Sequence, residues 1–541
     1  MRGVVVGMVA LLASGCAPAD TATPSTLTPL SGPRLARRLS IDLRGVLPTT
    51  SELDEVEAHP EDINALREQW LADPRFEERI TQMYQERWRT AIDSFHATVQ
   101  DYGLSHDEDY SFNRSVGEEP LRLVAHVVAT DRSYADIVTA DWTMANPMLA
   151  SLWPLDYPAG ATGWQVSRYT DQRPAVGVLA TNGLWWRYNS PLFNENRQRA
   201  AAIFDLLVCR DVLSRPVILS TGLSISDSST TDAIQNEPTC LACHSSIEPV
   251  AATLFGFTPF DDQSNFELQT YHPERENMGS TILNVTPAWM GHPVSGLEEL
   301  GAAIADDPRF VDCAVQTATE GLLRRQTDDS DVELLRQARE PFVNNGLHLK
   351  DVIRLVTQAP AYTVGSFATG ASQATIDRET TSRMLVASQL RSIDTDLAGL
   401  DWNYQGWDQL DNDTHGFRVL GGSVDGVTLT APQRTPGLTW TMTFQRAGEE
   451  SAGLIVDRDL ADGATADLLV GATSATTPAD AAFTTAVSAA WWRLLAERPS
   501  TSDVSGLASL WQSVVDAGGT PRDAWTAVVA VLLRDPDFVS Y

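Results

Sequence analysis

Lysine is almost missing from this chain. Lys350 is the only one in 541 residues, and arginine supplies the rest of the 39 basic side chains. Asp and Glu number 71, leaving a formal charge of −32. A surface this short of positive charge excludes non-specific attraction to nucleic acid or anionic lipid and fits a well-solvated exterior. Long apolar runs are missing too. The stretch Gly3–Leu12 (GVVVGMVALL) is too short to span a bilayer, and no later segment reaches the required length. Nucleotide signatures are also lacking. Residues 416–429 (GFRVLGGSVDGVTL) carry glycines but no GxGxxG and no strand–loop–helix setting, so no nucleotide is expected. Neither Gly-x-Ser-x-Gly nor His-Glu-x-x-His occurs, and no pair of carboxylates stands out for acid–base work. Glu52, Asp54, Glu55, Glu118 and Glu119 read as solvated or capping groups.

The N-terminus reads as an export signal. Arg2 gives a positive start, the short apolar stretch follows, and Ala13, Ser14 and Gly15 lead into Cys16. Small residues before a cysteine resemble the processing site of bacterial lipoproteins, although Ala13 stands where that pattern has leucine and Leu12 lies one earlier. The resemblance implies that residues 1–15 are removed and Cys16 is lipidated. The expected location is then the cell envelope, on the outer membrane or cell surface, with the lipid as the only membrane contact. An ordinary secretory signal is the alternative. Residues 16–32 suit a flexible tether.

Five cysteines are present: Cys16, Cys209, Cys240, Cys243 and Cys313. Export favours their oxidation. With Cys16 assigned to lipid and Cys240–Cys243 to a motif, a disulfide between Cys209 and Cys313 is the economical pairing. Two buried free thiols are the alternative.

Elsewhere the apolar spacing is helical, and the expected fold is mainly α, with two or more multi-helix modules, long loops and few short strands. Residues 33–190 form an N-terminal helical module, 191–365 a second carrying the cysteine motif, 366–379 a linker, and 380–541 a C-terminal helical module. Arg34–Leu47 reads as a basic amphipathic helix, and Thr49 with Glu52 as a capping box. A signature recurs as ADPRF (72–76), DDPRF (306–310) and RDPDF (534–538), with looser forms at 130–134 and 358–362. Asp caps, Pro opens the next helix, and the aromatic anchors it, so these are corners between helices. Asp411, Asn412 and Asp413 resemble a calcium-loop fragment but lack its glycine and distant glutamate, and read as a solvated acidic turn.

The chemistry concentrates in PTCLACHSSIEP (238–249). On a helix, Cys240, Cys243 and His244 share one side, so two sulfurs can bond a porphyrin while the imidazole meets its iron. That spacing, with export, points to one c-type haem. A bare Cys240–Cys243 disulfide is the second reading. Zinc is the third, and it needs a further pair of ligands that the chain does not offer in regular spacing. For the sixth iron position the candidate is Met290 in PAWMGHP, with His292, Met278 and His272 as alternatives, or an open site. His59, His96, His106, His126, His348 and His415 are scattered and read as surface or core residues.

Several stretches together resemble exported cytochrome-like proteins of planctomycetes and myxobacteria, built from the domains of unknown function 1549, 1592, 1588 and 1585. RRLSIDLRGVLPTTSELDEV (37–56) and WLADPRFEERITQMYQERW (70–88) are similar to the opening helices, and SYADIVTADWTMANPMLASLW (133–153) to the next module. CLACHSSIEPVAATLFGF (240–257) is similar to the motif itself. The resemblance implies haem attachment at Cys240, Cys243 and His244. Electron transfer with an unidentified redox partner is the expected function. A non-haem structural or binding lipoprotein and a haem oxidoreductase with an open distal site are the alternatives.

Overall fold

The computed structural model describes residues 27–95, 97–190, 194–214, 234, 236–258, 270–399, 401–461 and 466–541. The leader, Cys16, most of the tether and His96 lie outside the described residues. Helices dominate, and the strands form small two-stranded pairs. The mainly α expectation holds. No described helix is long and apolar enough to cross a membrane.

Local signals explain the helix ends. Thr49 and Glu52 close both halves of a capping box, with Thr49 N donating to Glu52 Oε2 at 2.7 Å and Glu52 N to Thr49 Oγ1 at 3.2 Å. At the recurring corners, Asp73, Asp307 and Asp535 each accept the backbone N–H two residues on. Arg75 and Arg309 also grip their own Asp through the guanidinium. Phe76, Phe310 and Phe538 behind them are at most 1% exposed, so the aromatic is an anchor at each corner.

Two large apolar cores and a smaller one result among the described residues. The first takes side chains from Ala36 to Tyr362 together with Trp492 and Ala496, the second from Leu385 to Tyr541 together with Ile41 and Leu47, and the small one gathers Val99, Phe112, Trp153 and Trp186. The Gly32–Arg44 helix belongs to both large cores, giving Leu39 and Leu43 to the first and Ile41 to the second. Three of its four basic residues turn inward: Arg37, Arg38 and Arg44 are all buried. Leu27–Pro29, the end of the expected tether, pairs antiparallel with Val364–Phe367. Within the expected linker, Gln373–Arg378 is a helix capped by Ser372.

Two sequence readings need correction. The Asp411–Asp413 turn is not solvated. Tyr110 donates to Asp411 Oδ2 at 2.8 Å, Arg114 lies 3.3 Å from its Oδ1, and Arg418 pairs with Asp413. Burial raises the Asp411 pKa, but Arg114, Arg391 and Arg418 outweigh it and leave the carboxyl below its usual value. Glu119 is likewise no surface group. It is buried in the Asp109–Ala129 helix, taking hydrogen bonds from Thr143 at 2.9 Å and Tyr169 at 2.7 Å.

Burial pushes Glu119 up to about 7, and does the same to Asp394, whose carboxylate takes a hydrogen bond from Ser451. In the unfolded chain both ionise near their ordinary values of about 4. Between about pH 4 and 7 the native state therefore holds more protons, and each group makes stability fall as pH rises through that window. Asp394→Asn should flatten this decline. Urea unfolding of variant and wild type at pH 5 and pH 8 checks it: the gap between the two proteins should move in favour of the variant at pH 8.

Candidate functional site

The motif lies on the Pro238–Ala251 helix. Pro238 opens it at a position where no N–H is needed, and the N–H groups of Cys240 and Leu241 both return to the Glu237 carbonyl. Ile247, Val250 and Ala251 are buried against the first core, whereas Cys240, Cys243 and His244 lie half-buried on the outer part of the helix. Cys240 and Cys243 are unbonded thiols. One helical turn thus carries two thiols and an imidazole.

His244 is held from below. Its Nδ1 is 2.6 Å from Glu248 Oε1, one turn along the same helix. Arg197, at the start of the Arg197–Val208 helix, grips Glu248 with Nε at 2.6 Å and Nη2 at 3.0 Å, and also reaches Glu195 at 2.7 Å. Burial pushes Glu248 up, but the His244 and Arg197 hydrogen bonds outweigh it, so the carboxyl stays below its usual range. An ionised Glu248 fixes the tautomer with the proton on Nδ1, leaving Nε2 as the ring nitrogen with a lone pair to offer. Pro249 follows directly and keeps its place within the helix.

Met290 stands at the tip of a hairpin between Ala288–Trp289 and His292–Pro293, in left-handed conformation with φ 49°. The first strand packs on the motif helix, and Met290 and Cys243 both border the first core. The other histidines disperse. His126 meets the edge of Trp142, His415 stacks on Trp407, and His272 bonds Glu274. Among the described residues no group of three or more His, Cys, Asp or Glu side chains is placed to hold a metal ion.

Clefts of about 680, 430 and 290 Å³ lie elsewhere, without Cys240, Cys243 or His244 in their walls. The segments 215–233 and 259–269 that flank the motif fall outside the described residues.

Cys209 and Cys313 form the expected disulfide. It joins the end of the Arg197–Val208 helix to the Pro308–Leu323 helix. Sequence reading missed Arg197 as a partner of the motif. The His244–Glu248 spacing of one turn was the available signal.

Among known proteins, the model of a family described as a protein of unknown function (DUF1592) matches residues 30–155. That stretch contains the opening helices singled out above. No curated protein and no solved structure matches the chain.

Proposed function

We propose that the protein carries a single covalently bound c-type haem on Cys240, Cys243 and His244 and transfers electrons at the cell envelope, anchored by lipid on Cys16. The DUF1592 match over residues 30–155 agrees with the resemblance of the opening helices and does not reach the motif. The observation that carries the reading is the outward turn of helix with two unbonded thiols and an imidazole whose Nδ1 is already engaged by Glu248. The donor set fits the group: the thiols can form thioethers, and Nε2 can ligate iron. A haem there supplies a one-electron ferrous–ferric couple. Glu248 and Arg197 orient the imidazole, and the half-buried setting leaves an edge open to a partner. Met290 is the candidate for the sixth position.

Charge bears on that partner. Among the described residues eleven arginines and Lys350 are buried, against nine carboxylates, so the exterior is more anionic than the composition suggests. Such an exterior favours a partner with a basic docking face, with association that slows as salt rises.

Expression with c-type maturation machinery, followed by a pyridine haemochrome spectrum, tests the reading. A c-type spectrum that disappears in Cys240→Ser/Cys243→Ser supports it. Its absence from the folded wild-type protein would favour the non-haem lipoprotein. Glu248→Gln should keep the haem and raise its reduction potential, because the carboxylate no longer enriches the imidazole in electron density. Redox titration of the variant against wild type is the check.

A further inference from the structure

A cleft of about 680 Å³ opens where three helices end. Arg89, Cys209 and Arg324 cap the helices Arg75–Trp88, Arg197–Val208 and Pro308–Leu323, and all three line this cleft. All three adopt the left-handed conformation, with φ of 56°, 51° and 55°, where glycine is the usual residue. The Cys209–Cys313 disulfide ties one wall to another. The fourth side is the loop containing Arg434, from the C-terminal half of the chain. The volume falls in the range of small-molecule sites.

Hydrogen bonding in the walls is uneven. Arg87 is committed to Asp205 at 2.7 Å, and Arg324 to Glu86 at 2.5 Å. Asp211 accepts from the backbone of Leu213 and Ser214, and Glu320 from Gln316 and Thr327. Asp205, Asp211 and Glu320 are therefore occupied, and Glu86 holds Arg324 through Oε2 while its buried Oε1 has no partner. Among the described residues Arg89 and Arg434 have no carboxylate partner, and Arg89 Nε is buried with no acceptor. Helix-end dipoles account for a cation near each cap. They do not account for Arg434, which belongs to no helix. It stands exposed on its loop at the edge of the cleft. Guanidinium groups that line a cleft without a carboxylate partner suit a planar or tetrahedral oxyanion.

We propose that this cleft binds a small organic anion whose carboxylate or phosphate head is held by Arg89 and Arg434. Its apolar body would lie along Met83, Ala201 and Ala202. The site is independent of the haem reading, since none of its walls comes from the Pro238–Ala251 helix.

Calorimetric titration of the folded chain with succinate and with inorganic phosphate, at low ionic strength, tests this. The expected result is saturable binding of at least one probe with a Kd below about 1 mM. Binding of succinate alone would assign a carboxylate head, and of phosphate alone a phosphate head. Arg89→Gln and Arg434→Gln should each weaken binding by about tenfold or more. Matching thermal midpoints verify that both variants are folded. Arg498→Gln, which alters an exposed arginine paired with Asp54 and Glu57, should bind as wild type does. No saturable binding of either probe, or equal binding by all three variants, would overturn the proposal.

Discussion

Asp42→Ala is expected to cost on the order of 5 kcal/mol of folding stability, among the largest effects a single substitution produces. Asp42 sits at the centre of a buried knot on the inner side of the Gly32–Arg44 helix. Its Oδ2 takes Arg383 Nη1 and the Tyr362 hydroxyl, both at 2.9 Å, and its Oδ1 takes the Tyr541 hydroxyl at 2.8 Å. Beside it, Arg38 donates to the carbonyls of Tyr362 and Val364 at 2.8 Å and of Thr381 at 2.6 Å. Arg38 has no carboxylate in its hydrogen-bond set, and burial, with Arg383 next to it, pulls it down to about 9. Among the described side chains, Asp42 is thus the carboxylate that bonds Arg383 beside the buried Arg38. Removing it strands Arg383, costing about 3–5 kcal/mol, and leaves two tyrosine hydroxyls without an acceptor. Asp42→Asn keeps the volume and one acceptor oxygen, so its loss should be smaller. Urea unfolding measures both. A loss below about 1 kcal/mol for Asp42→Ala would mean that the knot does not hold the two cores together.

That knot marks the limit of what the sequence discloses. RLARRLSIDLR is legible as a helix because its periodicity is local. Its inward basic face is not, because Arg37 and Arg38 donate to carbonyls of residues 362–541. Backbone carbonyls carry no side-chain signal, so nothing in the residue types marks them as partners. Asp411 is the same case: Arg114 lies 297 residues away in sequence, and the acidic triplet looks solvated until the two meet. The helix corners succeed for the opposite reason, since Asp, Pro and aromatic act within five residues.

The candidate site divides along the same line. Cys240, Cys243 and His244 are readable because one helical turn sets their geometry, and Glu248 lies within reach of the same argument. Arg197 is not, because it arrives from another helix. The disulfide was reached from cysteine count and export rather than from any view of the fold.

Removing that disulfide is the second large effect. Cys209 and Cys313 are 104 residues apart in sequence. Closing a loop of that length restricts the unfolded chain by about 4–5 kcal/mol in the chain-entropy description. Cys209→Ala/Cys313→Ala should therefore lose on the order of 4 kcal/mol, read as a lower urea midpoint, and the wild type should converge on the variant when reduced. The site should respond differently. Arg197 and Cys209 sit at opposite ends of the Arg197–Val208 helix, about 18 Å apart at 1.5 Å per residue. Arg197 is fixed at its own end by Glu248 and Glu195, without help from the disulfide. If the protein carries the haem proposed above, haem bound per folded molecule should then be the same in the variant and the wild type, while stability falls. If haem content fell with stability in equal measure, the support of His244 would have to run the length of that helix. If stability did not change, the loop between the two cysteines would have to be ordered in the unfolded chain already.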